Sequence, residues 1–195
     1  ANDPFFDLKK QNKRIFLFIS EPVSLDQGRS FAENKKFRGY TEDDVLKTLI
    51  NALALMDNNY YIILLPHPRQ DSELLIKYWE SIGGNKFGSV YTNVNSRSLL
   101  PFAEGVIGMA STLLFEAWLV GKTVLSIQPN LSNNPLEMLE NQIGFDLINN
   151  YENSNQMIVK WFSKISTLPI QKFRNELQDY KNSSKNVVRE MNRVY

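Results

Sequence analysis

The chain has 195 residues, 43% of them hydrophobic and 12% aromatic, which is enough for one sizeable buried core. Lys and Arg number 22 against 21 Asp and Glu, a formal net charge of +1, so bulk charge does not point to nucleic acid or an anionic membrane, and any anion binding must be local. With no cysteine and one histidine, His67, disulfides, thiolate metal centres and multi-histidine sites are excluded, and neither a metal nor another cofactor is expected.

Residues 1–13 read as a linker-like lead-in, residues 14–183 as one domain, and residues 184–195 as a tail. The lead-in lacks the basic and apolar regions of a signal peptide, and no apolar run approaches the roughly 20 residues that span a bilayer. A cytoplasmic protein is the expectation. Arg14 to Ser20 is a short apolar run closed by Glu21 and Pro22, as in a strand buried on both faces. Residues 21–40 are polar and show no clean period, so they are predicted as a long loop that has room for a helical turn. Thr41 with Asp44 makes a capping signature, and Val45, Leu46, Leu49, Ile50, Leu53 and Leu55 mark the apolar face of a helix to about Asp57.

Tyr60 to Leu65 is a second buried strand, broken by Pro66, His67, Pro68 and Arg69. Asp71 opens the next helix, which Gly83 and Gly84 end. Phe87 to Thr92 reads as a weaker strand, Ser96 to Ala103 as a short helix, and Gly105 to Met109 as a strand running straight into a helix from Ser111 to Val120. After Gly121, Thr123 to Ile127 is another strand, and Pro135 starts a short helix that Gly144 helps close. Beyond Asn150 the pattern is helical, with Ile158, Val159, Trp161, Phe162 and Ile165 on one segment and a second from about Ile170 to Lys181. This alternation predicts an α/β fold with an open, mostly parallel, doubly wound, Rossmann-like sheet, in which ligands bind beyond the carboxyl ends of the strands.

Three polar segments fall at such ends: Ser20 and Glu21, His67 to Arg69, and Ser111 with Thr112. The last is a natural anion site, because the first N–H groups of a helix lack partners and carry partial positive charge, although the same residues serve equally as an ordinary N-cap. His67, held between two prolines, can hydrogen-bond a phosphate or satisfy loop carbonyls. Arg69 suits a bidentate contact to phosphate, or an ion pair with Asp71 or Glu73. Glu116 lies in a helix that is apolar nearly all round, so burial beside a cleft is predicted for it, where a carboxylate can take both hydroxyls of a ribose; the alternative is a surface charge. The clusters Lys9-Lys10, Lys13-Arg14 and Lys35-Lys36-Arg38 read as a solvated face rather than a surface for an acidic ligand or lipid.

The run Gly108 to Ala117, followed by Gly121 to Pro129, resembles the carboxyl-terminal, nucleotide-sugar-binding half of GT-B glycosyltransferases and the related sugar-nucleotide 2-epimerases. The pairing of His67-Pro68 with Ser111-Thr112 looks more narrowly like bacterial sialyltransferase-like and surface-polysaccharide transferases, which use CMP- or CDP-linked donors. The resemblance implies that His67 stabilises the leaving-group phosphate as the catalytic contribution of this half. It also implies a donor site made by Ser20, Glu21, Arg69, Gly108, Ser111, Thr112 and Glu116. Its partners would be a nucleotide-sugar donor, CMP- or CDP-linked in preference to UDP-linked, and an amino-terminal GT-B domain that this chain does not contain. The acceptor would be a surface glycan or a lipid, which allows peripheral membrane association of a longer protein; nucleic acid is not a partner. The chain departs from the pattern where a glycine-rich first loop is common, carrying Ser20-Glu21-Pro22-Val23-Ser24 instead. By this reading it binds donor alone but does not transfer. Half of a 2-epimerase and a non-catalytic nucleotide-binding module are the alternatives.

Overall fold

A computed structural model describes residues 12–57, 59–131 and 139–165. Six strands form one parallel sheet: β1 (Arg14–Ile19), β2 (Tyr60–Leu65), β3 (Gly88–Val90), β4 (Gly105–Gly108), β5 (Thr123–Ile127) and β6 (Phe145–Ile148), in the order β3-β2-β1-β4-β5-β6. Side chains alternate across β1. Phe16 and Phe18 enter one core with Leu46, Leu49, Trp79 and Phe162, while Ile15, Leu17 and Ile19 enter a second core with Val106, Leu114 and Trp118. Helices cover both faces, which is why the central strands read as unbroken apolar runs rather than alternating ones.

The helices are α1 (Val23–Gln27), α2 (Glu42–Leu53), α3 (Ser72–Ser81), α4 (Ser96–Leu99), α5 (Thr112–Leu119) and α6 (Ser154–Ile165). The predicted caps form. Thr41 and Asp44 make a reciprocal capping box on α2, Asp71 accepts the Glu73 and Leu74 N–H groups, and Ser111 accepts the Leu113 N–H. The helical turn allowed for in the loop of residues 21–40 is α1. Two expectations change: α2 ends at Leu53 rather than near Asp57, and β6 is a strand not anticipated by periodicity, because it has only four residues, the middle two half buried, at the sheet edge. The start of the helix expected from Pro135 and the whole of the one from Ile170 lie outside the described residues; residues 140–144, where the first was expected to close, form turns instead, with Asn141 and Gly144 at positive φ. Among those described, no helix is long and apolar enough to cross a membrane.

Strand order reverses between β1 and β4, because the chain moves outward from β1 to β2 and β3 before crossing back to β4. A crevice therefore opens beyond Ile19 and Gly108, flanked by the loops that follow β1, β2 and β4. The loop of residues 28–40 returns over this end of the sheet. Gly39 holds it there with φ at 96°, and a Cβ on Gly39 would lie 2.3 Å from the Asn130 carbonyl oxygen. Gly39→Ala should cost about 1–3 kcal/mol, from left-handed backbone strain and a contact with backbone that cannot rotate away. Urea unfolding would check it, and an unchanged midpoint would show that the loop does not need this approach.

Candidate functional site

Glu21, the second residue after β1, reaches across the switch point. Its Oε2 accepts the Ala110 N–H at 2.6 Å, and the Ser111 N–H and the Arg38 charge also favour its ionised form. Burial outweighs them and raises its carboxyl above the ordinary glutamate value. The turn from β4 into α5 thus holds the chain's own carboxyl group, and Ser111 is an ordinary N-cap through its Oγ. Thr112 is the exposed first residue of α5. Gly108 ends β4 where a Cβ would meet the Ile19 carbonyl oxygen at 3.0 Å and Leu114 Cδ2 at 3.2 Å, so glycine lets α5 close on the sheet and brings its amides to β1.

His67 follows β2. Its backbone N–H donates to Gln70 Oε1 at 2.8 Å, and its Nδ1 accepts the Arg69 N–H at 3.1 Å, so a neutral ring carries its proton on Nε2. Partial burial and the nearby Arg69 charge lower its pKa, with Asp26 opposing, which favours neutral imidazole at pH 7. The ring does not satisfy loop carbonyls, and its Nε2–H is the donor it offers to a ligand. Arg69 pairs with neither Asp71 nor Glu73: its two terminal nitrogens bind the two carboxylate oxygens of Asp26 in α1, each at 2.8 Å. This bidentate pair is more than half exposed on both sides, so a phosphate entering the cleft could compete for Arg69 at small cost.

A cleft of about 310 Å³ joins these groups. Glu21, His67, Arg69 and Ala110 line it with Asp26, Gln27, Lys36 and Arg38. Lys36 and Arg38 are exposed, as the reading of their cluster as a solvated face expects, and they also stand on the cleft wall. No local signal distinguishes them from the other basic clusters, since a buried staple places them: Gln27 donates to the Tyr40 carbonyl at 2.8 Å and accepts the Arg38 N–H at 3.1 Å.

Beneath the cleft runs a buried chain of hydrogen bonds. Arg38 contacts the Tyr40 hydroxyl, which donates to Gln128 Oε1 at 2.9 Å; Gln128 Nε2 donates to Ser126 Oγ at 2.8 Å, and Ser126 donates to the Met109 carbonyl. Tyr40, Ser126 and Gln128 are fully buried, and burial with the nearby Glu21 charge pushes the Tyr40 pKa up. The loop that carries the cations and the turn that carries the amides are therefore fixed to each other. Ser20, directly before Glu21, is also fully buried, and among the described residues its Oγ is the one buried side-chain polar atom with no hydrogen-bond partner.

Glu116 is not buried as its helix pattern predicts. Leu114, Ala117 and Trp118 face the core, while the Glu116 side chain, 36% exposed, makes a bidentate pair with Arg97 at 2.6 and 2.7 Å, which lowers its pKa. It does not line the cleft that holds Glu21 and His67.

The sequence matches no protein-family model and no curated protein. Solved structures do match in fold. A UDP-GlcNAc 2-epimerase from Neisseria meningitidis bound to UDP-GlcNAc superposes with a TM-score of 0.60 at 14% identity, over 96% of this chain and 46% of that one. The S. aureus MnaA–UDP structure gives 0.57 at 11% identity over 85% of this chain and 39% of that one. The wall teichoic acid polymerase TagF gives 0.56 at 11% identity over 91% and 42%. The fold is GT-B-like. In each case this chain spans less than half the length of its GT-B-like neighbour.

Proposed function

We propose that this chain is the nucleotide-sugar-binding half of a glycosyltransferase, with a cleft at the β1/β4 switch point that holds the donor. The observation that carries the reading is the convergence, on one cleft, of Ala110 in the turn into α5, His67 and three cations, Lys36, Arg38 and Arg69. By this reading the phosphate lies against the start of α5, where Ser111 and Thr112 stand. His67 donates its Nε2 proton in a hydrogen bond to the phosphate oxygen that gains charge as the sugar leaves, and Lys36, Arg38 and Arg69 offset the rest of that charge. Ser20 and Glu21 form the floor toward β1, and Gly108 allows the close approach of α5. Glu116 takes part in ribose binding only by exchanging its Arg97 partner. A CMP- or CDP-linked donor, a glycan or lipid acceptor, and an acceptor domain on a longer protein belong to this proposal.

A thermal-shift panel of CMP, CDP, UDP and GDP tests it, run on the wild-type chain and on a His67→Ala, Ser111→Ala double variant. A ligand at a hundredfold excess over its Kd adds about 2.7 kcal/mol of stability by mass action. The double variant loses an N-cap and starts less stable by about 1 kcal/mol, so the ligand-induced shifts are compared rather than the melting points themselves. The wild type should respond to at least one nucleotide and the variant much less; equal shifts would remove the assignment. The likeness to the N. meningitidis epimerase supports a second reading, half of a sugar-nucleotide 2-epimerase. A preference for UDP, with inversion at the sugar by a longer protein containing this chain, would favour it.

A further inference from the structure

The structure shows an anion already seated at the start of α5, and it is the chain's own. Glu21 Oε2 accepts the Ala110 N–H at 2.6 Å, the Ser111 N–H adds to its hold, and both amides open the turn into an eight-residue helix. Carboxylate and phosphate oxygens ask the same thing of such amides, so the two cannot hold them together. Two features mark the seat as one that can be vacated. Burial works against the Glu21 charge, so the interaction is held against a desolvation cost. The neighbouring Ser20 hydroxyl, fully buried, makes no hydrogen bond, so no side-chain bond from Ser20 pins the chain at the root of Glu21. The cleft beside it keeps three cations, Lys36, Arg38 and Arg69, against two carboxylates, Glu21 and Asp26, so a ligand anion finds compensation once Glu21 moves.

Resting on the donor-site reading above, we propose that Glu21 is an internal competitor for the anion position: it must leave the Ala110 and Ser111 N–H groups before a ligand phosphate can take them. Glu21 thereby sets a threshold. A small free anion must displace it unaided, while a nucleotide brings the contacts of its nucleoside to a cleft large enough to receive them. Apparent affinity scales with the fraction of molecules whose amides are free, so a seated state populated nine to one weakens every phosphate-bearing ligand by about tenfold and leaves a nucleoside untouched.

Calorimetric titration of the 195-residue chain with inorganic pyrophosphate, CDP and cytidine tests this, on wild type, Glu21→Gln and Glu21→Asp. Glu21→Gln should tighten pyrophosphate and CDP by the same factor, about tenfold, with cytidine unchanged. Glu21→Asp keeps the charge but shortens the reach to the amides, and it should tighten both phosphate ligands as well. A gain in Glu21→Gln with Glu21→Asp equal to wild type would show only a field effect and overturn the proposal; weaker binding in Glu21→Gln would show that the carboxylate touches the ligand and overturn it too. Wild type that binds CDP with no gain in either variant would sink this inference and leave the donor site standing. The absence of binding to all three proteins would remove both.

Discussion

Gln128→Leu is expected to lower stability by about 2–4 kcal/mol, although leucine matches glutamine closely in volume. Gln128 is fully buried, accepts the Tyr40 hydroxyl and donates to Ser126. Leucine leaves the Tyr40 proton without an acceptor in an apolar interior, and that desolvation, rather than the lost bond, sets the size of the effect. Tyr40→Phe alone strands Gln128 Oε1 and should cost about 1–3 kcal/mol. The double variant should then recover most of the loss, because neither polar group remains to be satisfied. Urea unfolding of the four proteins gives the coupling directly, and simple additivity would mean that the two residues act independently. The same chain ends on the Met109 carbonyl, one residue before the amide that holds Glu21, so Gln128→Leu should weaken nucleotide binding in molecules that remain folded.

The second large effect is on binding. Lys36→Ala with Arg38→Ala removes two of the three cleft cations, and nucleotide affinity should fall by about tenfold to a hundredfold. Contacts of this kind weaken as salt rises, so the double variant should also show a shallower dependence of affinity on ionic strength than the wild type. Unchanged affinity and slope would place the phosphate elsewhere. Arg38 also touches Tyr40, and Lys36→Ala alone therefore separates the loss of charge from any disturbance of the buried chain.

How much of this was legible in advance depends on the range over which each feature is encoded. The unbroken apolar runs of β1 and β2 declared a sheet covered on both faces, and the caps at Thr41, Asp71 and Ser111 declared where helices begin, because both signals are written in residues a few positions apart. The position of Ser20, His67 and Ser111 at strand ends followed from that alternation. The short edge strand β6 escaped, since four residues with two half-exposed give periodicity little to work on.

Charge pairing was the least legible. Arg69, read either as a phosphate ligand or as the partner of Asp71 or Glu73, has its ion pair with Asp26, 43 residues away; Glu116 was expected in a buried helix face and instead meets Arg97 from α4. Lys36 and Arg38 are the surface charges their cluster suggested, but that they stand over the cleft depends on the Gln27 staple, which no local signal announces. The sequence by itself determined the sheet, its coverage and the places where the strands stop, because apolar periodicity and helix capping are local. Only the tertiary structure decided that the start of α5 holds Glu21, 89 residues earlier in the chain, and which cations stand around it, because partners for a charge are chosen by distance and burial in space, to which local spacing is blind.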